Sequence, residues 1–262
     1  MPDFGSPPLN EAVLGIQFRE AEGYQQIRAG EVWNLYRADY PAVEEQQALP
    51  PTFETFGPLQ IHTSEFQLIQ GAQHDRFWFL NSRGDELIQF QSDRLFHNWR
   101  KREDVDRPYP RFESMIAAFE REAEALERYF GELWPQKIEI TQAEIGYINH
   151  FPLGQPGEFS GLDDYLSIVN LAHLAPEAAQ IRYRRIVPGR DGKPTGRLHV
   201  ETNIGQNAAG EVVGILNLTY RGAPSEPGIA GAVGHLTAGR EVIVNEFTAI
   251  TTDKAHKLWD RK

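Results

Sequence analysis

The chain of 262 residues contains no cysteine. This absence excludes disulfide bonds, thiolate nucleophiles and zinc sites with thiolate ligands. No run of apolar residues is long enough to cross a bilayer as a helix, so no membrane-spanning helix is expected. The first residues, Met1-Pro2-Asp3-Phe4, lack the basic and apolar regions of a signal peptide. The cytoplasm is therefore the expected location.

Signatures of catalysis and cofactor binding are missing as well. There is no Gly-x-Ser-x-Gly elbow, no phosphate loop and no dinucleotide-binding Gly-x-Gly-x-x-Gly, and the eight histidines are scattered. His199-Val200-Glu201 has the His-x-Glu spacing of zinc deaminases, but the cysteines that would complete that metal site are absent. The sequence therefore predicts no catalytic residue, no metal and no cofactor, and it favours a binding protein over an enzyme.

The chain does contain an order of predicted elements that occurs twice. A strand, a short helix, three strands and a long helix are predicted in residues 1–135 and again in residues 136–262. The opening strand of each half has an apolar residue, then a glycine (Gly15 and Gly146), then alternating apolar and polar residues. We therefore predict two repeats that form one compact unit.

The predicted fold class is α+β, a tandem pseudo-repeat of β-α-β-β-β-α. Each half would form an antiparallel sheet covered by a long helix. This order of elements resembles the helix-grip and TATA-binding-protein-like architectures, in which the second face of the sheet is open or encloses a cavity. Such a resemblance in architecture does not specify a function.

The clearest helix is predicted from apolar residues that alternate at spacings of four and three, which places them on one helical face. They are Phe112, Ile116, Phe119, Ala123, Leu126, Phe130 and Leu133.

Two other patterns concern loops and strands. The glycine-rich stretch from Gly222 to Gly239 predicts a mobile loop, and Pro50-Pro51 predicts a loop before strands that contain Phe53, Phe56, Leu59 and Ile61.

Charge is unevenly distributed along the chain. Residues 1–135 carry a net charge of -10 and residues 136–262 a net charge of -1, whereas the short stretch from Arg182 to Arg197 carries +5. Such a basic hairpin indicates a surface for an acidic partner. The alternative is that the hairpin pairs with the acidic first half of its own chain or of a twin subunit.

A polar face is predicted on the strand that follows the hairpin turn. Leu198, Val200, Thr202 and Ile204 alternate with polar residues, as in a strand with one face in the core. The candidate binding residues on the polar face of this strand and its neighbour are Arg182, Arg184, Arg197, His199 and Asn203. The alternative is an ordinary solvated sheet face.

A second candidate site is the cluster Asn98-Trp99-Arg100. Arginine can hold an anion with two hydrogen bonds, and tryptophan offers a flat face for stacking, so the cluster could grip an anionic or planar ligand. The alternative is structural. Trp99 would then fill the base of the core, while Asn98 and Arg100 would bond to nearby loop carbonyls.

These motifs carry a resemblance to a known family. Pro7-Pro8-Leu9-Asn10-Glu11-Ala12-Val13, Leu87-Ile88-Gln89-Phe90-Gln91, Asn98-Trp99-Arg100-Lys101 and Tyr109-Pro110-Arg111-Phe112 resemble a sporadically distributed bacterial family of single-copy proteins of unknown function. The resemblance implies no activity. The sporadic distribution would suit an accessory component of a mobile or defence gene system.

Three functions remain open at this stage. The first is a non-enzymatic binding protein that engages a protein partner or forms a homodimer. The second is nucleic-acid binding through the basic hairpin 182–197, which the net charge of -11 disfavours. The third is a pocket between helix and sheet that binds a small ligand or supports catalysis.

Overall fold

The computed structural model describes residues 1–56, 75–102, 104–105, 108–135, 137–154, 161–171, 178–206 and 210–262. These residues form nine strands and five α-helices, with one turn of 3₁₀ helix before the first α-helix. In chain order they are β1 (Leu9–Phe18), α1 (Ala29–Tyr36), β2 (Ala42–Gln46), β3 (Arg76–Leu80), β4 (Glu86–Gln91), β5 (Arg94–Arg100), α2 (Phe112–Leu133), β6 (Ile140–Pro152), α3 (Leu162–Tyr165), β7 (Gln180–Pro188), β8 (Pro194–Gln206), β9 (Val212–Gly222), α4 (Gly228–Ile250) and α5 (Asp253–Leu258).

All nine strands belong to one antiparallel sheet with the order β2-β3-β4-β5-β1-β6-β9-β8-β7. The mixed α and β composition is as predicted, but the expectation of a separate sheet in each half is wrong. The opening strands β1 and β6 pair with each other, with Val13 opposite Gly146, and this pairing joins the two sets of strands. In the first half, four described strands follow α1 where three were predicted, because β2 and β5 both join the sheet.

Helices α2 and α4 cover one face of this sheet. The predicted apolar stripe of α2 is confirmed from Phe112 to Phe130, where Phe119 and Leu126 are fully buried, but the last predicted member, Leu133, is exposed. On the sheet, Leu14 of β1 is paired in register with Ile145 of β6, and both are buried on the covered face. The core therefore lies between the two long helices and the central strands.

The glycine-rich stretch predicted to be a mobile loop instead supplies the N-terminal half of α4. Gly239 allows the helix to approach the sheet closely. A methyl group at Gly239 would lie 2.5 Å from the ring of Tyr220 and 2.7 Å from Ile145, so any larger residue would force the helix away. Helix α4 ends at Ile250, and the Thr252 hydroxyl caps α5 by accepting from the backbone of Ala255.

The residue before α2 has an unusual backbone conformation. Arg111, the N-cap of α2, has φ 71° and ψ 155°. This region is essentially restricted to glycine, and a residue with a side chain is held there at a cost of about 1–3 kcal/mol. The surrounding contacts therefore impose a strained geometry on Arg111.

No helix in the described part of the chain is both long and apolar enough to cross a membrane.

Candidate binding site on the open face

The face of the sheet opposite α2 and α4, here called the open face, carries the predicted polar residues. Along β8, Leu198, Val200 and Thr202 are buried beneath the helices, whereas Arg197 and His199 lie half-buried on the open face. The predicted alternation is therefore confirmed from Arg197 to Thr202, whereas Ile204 is only half-buried. Every second residue along a strand points to the open face, and this holds for the neighbouring strands β3, β4, β5, β1, β6, β9, β8 and β7.

A coil segment, residues 47–56, runs across the open face perpendicular to the strands. Its backbone hydrogen-bonds in turn to side chains of β4, β5, β1 and β6, which are Gln91, Arg94, Gln17 and Gln142. The predicted strand at Phe53 and Phe56 is wrong, because these residues are in this coil. Leu59 and Ile61 lie outside the described residues. We call residues 47–56 the crossing segment.

The crossing segment places Glu54 in the middle of a basic cluster. The Glu54 side chain is only 4% exposed. Its carboxylate accepts a hydrogen bond from Arg197 and lies 2.6 Å from Nε2 of His199 and 3.6 Å from Nη1 of Arg221. Arg197 also donates to the Thr55 carbonyl at 3.1 Å. Two strands and the crossing segment therefore build one carboxylate-binding cluster.

The electrostatics of this cluster keep Glu54 ionised. Burial alone would raise the pKa of the Glu54 carboxyl, but hydrogen bonds and positive charge from His199 and Arg197 outweigh it, and the pKa lies below the usual value. Arg221 is shared with Glu144 on β6, so the cluster is close to neutral as a whole. Charge-assisted hydrogen bonds of this kind are the strong contacts in carboxylate recognition.

The other predicted residues of the hairpin lie nearby but are not all in the cluster. Arg182 donates to Glu201 at 2.6 Å. Arg184 lies opposite His199, is exposed, and makes no ion pair with the described residues. Asn203 is half-buried beside β7 and makes no side-chain hydrogen bond with the described residues. The structure therefore brings Arg197 and His199 together with Glu54, and leaves Arg184 exposed without an ion pair to any described residue.

The cluster Asn98-Trp99-Arg100 is divided between the two faces of the sheet. Trp99 is on the helix-covered face and is 2% exposed, which agrees with the structural alternative. Asn98 lies on the open face between Glu11 at 2.5 Å and Gln89 at 2.9 Å, and Arg100 donates to the Gly84 carbonyl at 2.8 Å. The three side chains thus do not form a single grip.

Asn98 belongs to a polar row that the sequence did not reveal. Trp78 on β3 donates to Gln89 at 3.1 Å, Gln89 donates to Asn98, and Asn98 donates to Glu11 on β1. Burial raises the pKa of the Glu11 carboxyl, although the hydrogen bond from Asn98 and the positive charge of Arg100 both act to lower it. Each residue is on an adjacent strand, so only knowledge of the strand order and register could have identified the row.

A cleft of about 1100 Å³ separates the tip of the basic hairpin from α4. Arg190 and Lys193 line its outer side, and His235 and Tyr220 line its floor. The rings of His235 and Tyr220 stack at 4.9 Å, and burial lowers the pKa of His235 to about 4. His235 is therefore a neutral part of the core at physiological pH.

Within the described part of the chain, no three histidine, aspartate or glutamate side chains are grouped so that they could hold a metal ion. Comparisons of this chain with protein-family models, with curated proteins and with solved structures give no match.

Proposed function

We propose that the protein is a non-enzymatic binding protein that takes up an acidic segment of a partner protein on its open face. The observation that carries this proposal is the enclosure of the Glu54 carboxylate by Arg197, His199 and Arg221. The crossing segment is held in coil conformation by side chains of four strands, which is how a sheet surface would hold an extended peptide. The chain's own segment thus illustrates the recognition chemistry.

The free charge beside this cluster supports the same proposal. Arg184 is exposed directly opposite His199 on the edge strand β7, and no strand among the described residues pairs with the outer side of β7. The neighbouring arginines are neutralised within the chain, Arg182 by Glu201 and Arg185 by Glu246. This internal pairing weakens the case for nucleic acid, since phosphate binding needs a surplus of basic surface. A homodimer joined along β7 is the alternative form of the proposal.

We also infer that the chain is a tandem pseudo-repeat with a helix-grip arrangement. The support is the recurring order of a strand, a helix, a set of strands and a long helix, from β1 to α2 and from β6 to α4. The two opening strands are neighbours at the centre of the sheet. The expected result is that the halves superpose, and an experimental structure with α2 and α4 on opposite faces would refute it.

The resemblance to a sporadic bacterial family would make the protein an accessory component of a mobile or defence system.

Charge reversal at two arginines separates internal pairing from partner binding. Arg197→Glu should lower the free energy of unfolding by about 1–3 kcal/mol, because it places two carboxylates together while His199 and Arg221 still pair with Glu54. Arg184→Glu should leave the melting temperature unchanged but weaken binding of a fluorescent oligoglutamate peptide, more strongly at low salt. Thermal denaturation and fluorescence anisotropy measure the two effects.

The peptide assay has two controls. An oligolysine peptide of the same length should not bind, and a single-stranded oligonucleotide should bind no better than the acidic peptide. Preferential binding of the oligonucleotide would favour the nucleic-acid alternative. If neither acidic ligand binds, and Arg184→Glu behaves like the wild type in sedimentation as well, the proposed function is wrong.

A further inference from the structure

A groove on the opposite side of the sheet is lined by three of the sequence motifs. It runs between the N-terminal segment, the end of β5, the residues before α2 and the face of α4. Its wider part has a volume of about 410 Å³, and a recess of about 80 Å³ adjoins it, since Pro7, Leu9, Tyr109 and Arg111 line both. We call it the motif groove. Residues from the first, third and fourth motifs line it, namely Pro7, Leu9, Trp99, Lys101, Tyr109 and Arg111.

The motif groove contains a buried hydrogen-bond donor with no acceptor. Trp99 lines the wider part, and its indole Nε1 is buried without a hydrogen-bond partner among the described residues. The side chain as a whole is 2% exposed. A buried N–H that bonds to nothing is rare and costly in a folded protein, and one that lines a groove indicates an acceptor supplied from outside.

Two tyrosine hydroxyls add further donors at the recess. The hydroxyls of Tyr109 and Tyr147 lie 3.4 Å apart. Burial raises the pKa of both phenols, so both carry their protons at neutral pH. At least one of the two protons is free to be donated to a ligand, since only one is used in the contact between them.

The charges that line the groove are mainly positive. The lining residues include three cations, Lys101, Arg111 and Arg240, and one carboxylate, that of Asp3, in a chain whose net charge is -11. Arg111 lies 3.7 Å from Asp3, whose side chain is largely exposed. Arg240 pairs with Glu113, which is also exposed. Exposed pairs of this kind are weak and exchange readily with another anion.

The strained backbone of Arg111 strengthens this interpretation. Glycine would adopt φ 71° and ψ 155° without strain, yet the position holds a residue with a long cationic side chain. Among the described residues, the Arg111 guanidinium donates one hydrogen bond, to the Phe4 carbonyl at 3.3 Å. Because glycine would relieve this strain, the presence of a cationic side chain here agrees with a binding role for Arg111.

We propose that the motif groove binds a small organic anion, with its carboxylate or phosphate oxygens held by Arg111 and Arg240 and by the donors of Trp99 and the two tyrosines. The recess would receive a short apolar part of the ligand, because Leu9, Ile243 and Phe247 line it. This site is independent of the acidic-segment site on the open face.

Nuclear magnetic resonance of the five tryptophan indole N–H groups tests the proposal directly. The probes are inorganic phosphate, acetate and hexanoate, titrated to about 10 mM, which exceeds a millimolar dissociation constant. The Trp99 resonance, assigned with Trp99→Phe, should shift on binding. The indoles of Trp33 and Trp78, which already donate to Tyr40 and Gln89, should not shift. Hexanoate should bind at least about tenfold more tightly than acetate if the recess takes the apolar part.

Two variants separate a binding role from a structural one. Arg111→Gly removes the charge and relieves the strain, so it should raise the melting temperature while weakening binding at least about tenfold. Arg240→Met should weaken binding to a similar extent. Arg190→Ala, at the tip of the distant hairpin, is the matched control and should bind as the wild type does.

The outcomes are decisive in both directions. Binding of phosphate alone would identify a phosphate-bearing ligand, and binding of hexanoate alone a carboxylate. If no probe shifts the Trp99 resonance, or if both arginine variants bind as the wild type does, the proposal is overturned. None of these results depends on the oligoglutamate assay, so the proposed function can fail or succeed separately.

Discussion

Phe119→Ala is expected to lower the free energy of unfolding by about 3–5 kcal/mol, and Leu126→Ala by about 2–5 kcal/mol. Both side chains are 0% exposed on the sheet-facing side of α2, and each truncation would leave a cavity that the packed sheet cannot fill. Denaturant unfolding monitored by circular dichroism measures the change. The control is Glu124→Ala on the exposed side of the same helix, which should stay within about 0.5 kcal/mol of the wild type.

Equal stability of all three variants and the wild type would contradict this expectation. It would mean that the apolar stripe of α2 does not pack on the sheet, and that the helix-covered face is assigned wrongly. A loss confined to Leu126→Ala would instead mean that the N-terminal part of the stripe is loosely packed.

Glu122→Ala is expected to be nearly as destabilising, by about 3–5 kcal/mol. Glu122 projects from α2 into the core, where it accepts from the Tyr40 hydroxyl at 2.8 Å and lies 3.0 Å from Nδ1 of His97. Removal of its carboxylate would leave both partners buried without compensation. Glu122→Gln is the matched variant, because it keeps an acceptor for Tyr40 and removes only the charge. It should therefore lose less stability than Glu122→Ala in the same unfolding measurement.

The partner of Glu122 also predicts a pH dependence. Burial alone would lower the pKa of His97, and the charge of Arg121 acts in the same direction. The charge and hydrogen bond of Glu122, together with the charge of Glu86, outweigh these effects and raise the pKa of His97 above 6.5. A raised pKa contributes stability that is fully present below the unfolded value and is lost as the pH rises through the folded value. The stability difference between wild type and His97→Gln should therefore shrink as the pH rises above neutrality. A difference that grows with pH would show that His97 is buried in its neutral form.

The long helix α2 could be predicted from the sequence because its apolar spacing is local and regular. A long helix was also predicted at the end of the second half, but the N-terminal part of helix α4 could not be, since its glycines signal a loop when only local propensity is considered. Their role depends on Tyr220 and Ile145, which belong to two strands of the sheet and meet the helix only in the folded protein. Tertiary packing thus overrides local propensity in α4 and agrees with it in α2.

The candidate site shows a similar division. The polar face of β8, with Arg197 and His199, followed from the alternation of one strand. The carboxylate that these residues hold belongs to Glu54, more than a hundred positions earlier in a coil segment with no periodic pattern. The motifs around Trp99 and Arg111 were identified from the sequence, but their convergence on one groove depends on the positions of the N-terminal segment and α4.

The pairing of β1 with β6 has a consequence for synthesis of the chain on the ribosome. When residues 1–135 have emerged, β1 can pair with β5, but its other edge has no partner until β6 follows. An unpaired central strand is a template for association with other chains, and contacts between distant residues form slowly. The nascent first half should therefore be the most aggregation-prone species in the life of this protein. A ribosome stalled after residue 135 should recruit chaperones that one stalled after β9 does not.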